Sequence, residues 1–202
     1  MKKLSFFLVT IMESFLLLFS SCVSKPEFEG KGDLCGIIID ENNNPVKNCI
    51  VYCNSPDKKK IPVKPVLTNE SGLFVFSGIT SGDYFISTEK NNYLRIKALP
   101  YCFNDRNKIF CIQMKSCKAA LKQVEEMLVL GQKKEASSLL DDICCEKNTK
   151  LHMYIKAYQL LTTDDKELKR SLISEIKKSS YSSDSFFEDY LSKQEELINE
   201  KS

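Results

Sequence analysis

Between residues 36 and 114 apolar residues come in short runs broken by turn formers, with no helical spacing between the runs. GIIID at 36–40 gives way to ENNNP, and CIVYC at 49–53 to a proline-punctuated stretch ending in Val66 and Leu67. LFVF at 73–76, YFIST at 84–88, YLRIKAL at 93–99 and IFCIQM at 109–114 bring the predicted strands to about seven. Runs of this kind with no helical pattern between them predict a compact antiparallel β-sandwich, not βαβ units. In the fifth run Tyr84 and Ile86 share one face and are the predicted core positions, with Phe85 and Ser87 on the other. Gly72, Gly78 and Gly82 flank the central strands and are assigned structural turns, where a missing Cβ permits positive φ.

From about Ser116 the period becomes helical. Ala120, Leu121, Val124, Met127 and Leu128 form a stripe that stops near Gly131, and a second helix from Lys133 is predicted to carry Ala136, Leu139, Leu140 and Ile143. A third helix over residues 149–161 has its polar gaps at His152, Lys156 and Gln159, which places the histidine toward solvent or an interface. A fourth begins after Thr163 or Asp165 as cap and carries Leu168, Leu172, Ile173 and Ile176; a fifth runs from about Asp184 to Glu200. The first two helices resemble one hairpin of the tetratricopeptide type, with Gly131 at the helix crossing; a generic helical bundle is the other reading. The predicted fold class is therefore multidomain, a β-sandwich of about seven antiparallel strands followed by an all-α segment.

The first 22 residues follow neither pattern. Lys2 and Lys3 precede an apolar run that continues to Phe19, too short and interrupted for a permanent span, and the chain turns polar after Cys22. Phe19, Ser20, Ser21 and Cys22 make the segment resemble a bacterial lipoprotein signal peptide, in which an apolar residue and two small ones precede the cysteine that becomes the mature N-terminus. The resemblance implies cleavage before Cys22 and lipid on its thiol and amine, and several acyl chains hold a protein stably on a bilayer. The expected organisation is a signal peptide over 1–21, a tether over 22–33, the sandwich over 34–115 and the helical part over 116–202.

The sandwich region carries a second resemblance. Gly36, Asp40, Pro45 and Val46, followed by Thr68, Gly72, Phe74, Phe76, Gly82 and Tyr84, match the pattern of the carboxypeptidase regulatory-like domain, a transthyretin-like or prealbumin-like sandwich. That resemblance covers about 80 residues, from Cys35 to Met114, and implies a non-catalytic accessory or spacer unit of the kind found in secreted peptidases, receptors and lipoproteins.

Composition adds mainly exclusions. Lysine and arginine number 29 against 27 acidic residues, a formal charge of +2, and removing Lys2, Lys3 and Glu13 with the leader leaves the balance nearly even. No nucleic-acid partner is expected from so weak a field. The triplet Lys58, Lys59 and Lys60 reads as a solvated loop. With one histidine, metal sites and histidine-based nucleophile triads find little support, and no cofactor site is expected. Nine cysteines, one of them the lipid site, leave eight that could pair in an oxidising compartment. Cys49 and Cys53 are too far apart along one strand, Cys144 and Cys145 diverge as helix neighbours, and Cys102 with Cys111 across a hairpin is the preferred pair. The expectation is a non-enzymatic lipoprotein of the bacterial cell envelope, lipid-anchored to the outer membrane and binding an envelope protein or surface carbohydrate; the alternative is an accessory subunit of an envelope assembly that docks through its C-terminal helices.

Overall fold

A computed structural model of the chain describes residues 28–57 and 62–200. The lipid-site cysteine Cys22, the leader before it and the lysine triplet at 58–60 lie outside the described residues. The described residues form a β-sandwich followed by five helices. Its strands are β1 (Lys31–Ile39), β2 (Ile50–Asn54), β3 (Val66–Leu67), β4 (Leu73–Thr80), β5 (Gly82–Glu89), β6 (Tyr93–Leu94), β7 (Ile96–Phe103), β8 (Ile109–Gln113) and β9 (Ile143–Cys144). The helices are α1 (Cys117–Val129), α2 (Lys133–Asp141), α3 (Lys150–Thr162), α4 (Lys166–Lys177) and α5 (Ser185–Glu200).

Seven strands make the two layers, one in the order β4-β1-β8 and the other β3-β2-β5-β7. The pairing is antiparallel throughout except between β1 and β8, which run parallel, so the all-antiparallel expectation is corrected at one pair. The cause is topological: after β7 the chain crosses to the opposite sheet, and β8 arrives beside β1 in the same direction. Inward side chains of both layers meet in one core, which includes Leu34, Ile38, Val51, Phe74, Phe76, Ile86, Phe103 and Ile112. Tyr84 and Ile86 are both buried in it, while Phe85 is exposed.

Two glycines are dictated by close approach. A Cβ on Gly36 would stand 2.2 Å from Cζ of Phe74, the residue opposite it in the ladder, so the absent side chain is the space the ring occupies. Gly72 has φ of +72° and would place a Cβ 2.4 Å from the Ile38 carbonyl oxygen. Asn69 braces the same turn, its side-chain oxygen accepting from the N–H groups of Ser71 and Leu73. Gly78 and Gly82 also have positive φ, at +68° and +133°.

The crossover between β7 and β8 also disposes of the preferred disulfide. Cys102 and Cys111 are exposed and lie on strands of different sheets, so no hairpin brings them opposite each other. Each points out of its own layer, on opposite sides of a sandwich whose sheets pack about 10 Å apart.

Each helix buries one stripe. Ser116 caps α1, its hydroxyl accepting from Ala119 N–H; Thr149 caps α3 by accepting from His152 N–H; and Asp165 caps α4 by accepting from Glu167 and Leu168 N–H. Consecutive helices are neighbours. Helix α3 is shared by two clusters, giving Ile155 to the one with Ala120, Val124, Ala136 and Leu140, and Met153, Ala157 and Leu160 to the one with Leu172, Ile176, Phe187 and Leu191. Gly131 is not at a helix crossing: nothing lies within 4 Å of where its Cβ would be, and its φ of +74° ends α1. Helix α2 stops at Asp141, so Ile143 and Cys144 belong to β9 and not to a helix.

Candidate functional site

The joint between the two parts is built from backbone hydrogen bonds. Strand β9 pairs with β6, Tyr93 opposite Cys144 and Leu94 opposite Ile143, which stitches the α2–α3 connection to a loop of the sandwich. Asn92 N–H donates to the Cys144 carbonyl at 2.7 Å, and Cys117 N–H donates to the Asn92 carbonyl at 2.8 Å. Arg95 N–H donates to the Asp142 carbonyl, and Lys97 forms an ion pair with the Asp142 carboxylate. Ser116, the cap of α1, donates from both its backbone N–H and its hydroxyl to the carboxylate of Glu41. Burial alone would raise the Glu41 carboxyl, but the two Ser116 hydrogen bonds outweigh it and hold the group below its ordinary range.

A cleft of about 590 Å³ opens beside this joint. The β1–β2 turn supplies Glu41 and Asn42, α1 supplies Lys118, Leu121, Lys122 and Glu125, and α3 supplies Tyr154 and Tyr158 one helical turn apart. Tyr158 donates its hydroxyl to the Glu125 carboxylate across the cleft wall. Burial, then that hydrogen bond, pushes its phenol up to about 12, so it remains a donor at neutral pH. Tyr154 packs its ring against Phe187 with centroids 5.1 Å apart, and the Lys150 ammonium lies 5.8 Å from the Tyr154 ring centroid. Two aromatic rings fixed from behind, two lysines and two carboxylates offer a ligand both flat apolar contact and hydrogen bonds.

His152 lies outside this cleft. It is half-buried, and its Nδ1 accepts from Asn148 N–H at 3.1 Å. Burial, followed by the nearby Lys156 ammonium, pushes its imidazole below the ordinary value, so the ring is neutral at pH 7 and serves the loop ahead of α3. Among the described residues no group of three or more histidine, cysteine, aspartate or glutamate side chains is placed to hold a metal ion. Cys49, Cys117 and Cys144 are buried at or near the joint, and burial pushes the thiols of Cys49 and Cys117 up to about 11, which makes them poor nucleophiles.

The sequence singled out Gly72, Gly78, Gly82, Cys102 and Cys111, and none of these lines the cleft. Tyr154 and Tyr158 were legible only as apolar positions of a helix. Nothing in the linear pattern brings residues near 41, 122 and 158 together.

No protein-family model matches the sequence, and comparison with curated proteins gives no match. Solved structures give partial likenesses. A streptococcal ancillary pilin is 10% identical with a TM-score of 0.38, covering 44% of this chain and 30% of its own. A minor pilin of Streptococcus agalactiae is 16% identical with a TM-score of 0.35 over 44% of this chain and 45% of its own. A DUF3823 family protein from Parabacteroides merdae is 9% identical with a TM-score of 0.34 over 44% and 47%. The matched region spans less than half the length of each, and the likeness is one of fold over part of the chain.

Proposed function

We propose that the protein is a non-enzymatic lipoprotein of the bacterial cell envelope, in which the sandwich is a spacer and the cleft at its far end receives a protein or carbohydrate partner. The observation that carries this reading is the polarity of β1. The described chain enters at Phe28, and β1 begins with Lys31 opposite Thr80, the last residue of β4. It ends at Ile39, immediately before the Asp40–Glu41 turn on which α1 is seated. Nine strand residues at ~3.3 Å each separate the two ends by about 30 Å. The described chain thus enters the sandwich at the end remote from the cleft, an arrangement suited to an anchor that precedes Phe28 and a cleft that faces away from it. The polar groups near it are engaged in holding the architecture, Glu41 with Ser116, Glu125 with Tyr158 and His152 with Asn148, and this favours binding over catalysis.

A photo-crosslinking amino acid at Leu121 tests the reading in living cells. The expected result is a discrete adduct with an envelope protein or polysaccharide that disappears when Tyr154 and Tyr158 are both replaced by Ala, with no adduct from the same group at Lys108 in the opposite half of the molecule. Identical labelling from both positions would refute the cleft as the contact.

One observation favours the second reading, an accessory subunit of an envelope assembly. The α1–α2 and α4-leading turns lie together at the tip of the helical part, joined by an ion pair between Lys133 and Asp164 at 2.6 Å. Val129 and Leu130 are 87% and 71% exposed there, with Leu161 and Leu168 also exposed. Replacing Val129 and Leu130 by Ser would release an assembly subunit from its complex in a sizing experiment, and would leave a cleft-binding protein unaffected.

A further inference from the structure

The sandwich carries a second open feature, away from the cleft, on the seam where the edge of one sheet faces the edge of the other. Strand β4 is an edge strand, paired only with β1, and β3 across the seam is hydrogen-bonded to β2. The ladder fixes which of its groups look outward. Ile38 N–H donates to the Gly72 carbonyl at 2.9 Å, which makes Ile37 and Leu73 a non-hydrogen-bonded pair. The Leu73 backbone groups accordingly face away from β1, where both are taken by Asn69. Two residues on, Cys35 and Val75 occupy the same class of pair, so the N–H and C=O of Val75 also face away from β1, toward the seam. Among the described residues no strand pairs with them.

Beside this edge runs a groove of about 690 Å³. Phe76 and Tyr84 form part of its floor, Val63 and Val66 stand on the far wall, and Lys31 and Lys64 lie on its rim, both exposed. Among the described residues no carboxylate lines it. Asp33, two residues from Lys31, accepts from Gly78 N–H at 2.9 Å. The other long edge of the sandwich is blunted by devices that β4 lacks over Leu73–Phe76: β7 contains Pro100, a register shift and Ala98 at φ of +48°.

We propose that this seam accepts a short extended segment of another protein, which pairs with Val75, drops an apolar side chain between Val63, Val66 and Phe76, and presents carboxylates to Lys31 and Lys64. Strand addition supplies sequence-independent backbone hydrogen bonds, and the alternate side chains supply selectivity. The charge of the rim selects the occupant. A second copy laying its own β4 here would set lysines of both rims in one seam, whereas an acidic segment is attracted by them.

The test uses the purified protein and two blocked peptides, Glu-Thr-Val-Thr-Val-Thr-Glu and its counterpart with Lys at both ends, followed by amide resonances in solution. The acidic peptide is expected to shift and protect the Val75 amide and to shift Val63 and Val66, with the lysine peptide about tenfold weaker. Val75→Pro removes an N–H that β1 does not use and should weaken acidic-peptide binding about tenfold. Lys64→Glu, which touches no ladder bond, should do the same and keeps the test decisive if the proline variant fails to fold. The proposal is overturned by an unmoved Val75 amide at millimolar acidic peptide, by equal binding of the two peptides, or by a concentration-dependent dimer that protects Val75 with no peptide present.

Discussion

At the scale of single residues, the polar positions at the turns of the sandwich do identifiable physical work. Thr68 donates its hydroxyl to the Val46 carbonyl at 2.6 Å and accepts from Cys49 N–H at 2.9 Å, pinning the entry to β2. Asp40 accepts from the N–H groups of Asn42 and Asn44 and from the Asn44 side chain, closing the turn ahead of the joint. Burial pushes its carboxyl up, and these hydrogen bonds more than reverse that, leaving it below the ordinary value. Asp40 and Glu41 thus titrate lower in the fold than in the unfolded chain. Their contribution to stability is complete above about pH 5 and is lost as pH falls through the lowered values. Urea denaturation across that range should show a declining acid limb that is shallower in Asp40→Asn. Gly36→Ala should cost about 1–3 kcal/mol, because the Phe74 ring must leave its place; a smaller loss would mean the strand yields instead. Thr88 offers the opposite case. It is fully buried and its hydroxyl has no hydrogen-bond partner among the described residues. Thr88→Val keeps the shape and removes that polar group, so the urea midpoint should rise by the equivalent of about 1 kcal/mol.

Between residues and the molecule stand the elements, and here the sequence was informative in proportion to element length. The apolar runs GIIID, LFVF and YFIST marked strands, and the alternation of YFIST placed Tyr84 and Ile86 inward; LFVF, apolar on both faces, read as a central strand but lies on the edge strand β4, with Leu73 and Val75 exposed. The stripes of α1 and α4 were equally readable, since a period of 3.6 over a dozen residues is a strong signal, and Asp165 was one of two cap candidates; that Ser116 caps α1 is seen only in the structure. Strand β9 was not readable: two residues have no period, and Ile143 happens to continue the helical phase of Ala136, Leu139 and Leu140. The parallel β1–β8 pair and the sheet change after β7 were hidden for another reason, that they depend on the path of the whole chain. The hairpin assumed for Cys102 and Cys111 failed with them. The cleft lay beyond reach because it assembles from three segments joined through β9, the element the pattern could not show. Seating of α1 on the sandwich depends on Glu41 and its cap. Ser116→Ala should destabilise the chain by about 1 kcal/mol, and double replacement with Glu41→Gln should cost less than the sum of the two singles, which a mutant cycle measures directly.

On the scale of the whole molecule, the arrangement is directional. The tether end, the sandwich and the helical part follow one another, with the Glu41–Ser116 contact and the β6–β9 ribbon fixing the last two together. Among the described residues no helix is long and apolar enough to cross a membrane; the attachment proposed above is the lipid on Cys22. Cys22→Ser should move the protein from the membrane fraction to the soluble one while leaving its folding transition unchanged, as the substitution lies ahead of every described element. The decisive measurement is the intact mass of the protein extracted from membranes. The expected species is a chain beginning at Cys22 and heavier than its peptide by a diacylglyceryl group and one further acyl chain. A mass equal to that of the unmodified peptide would contradict it.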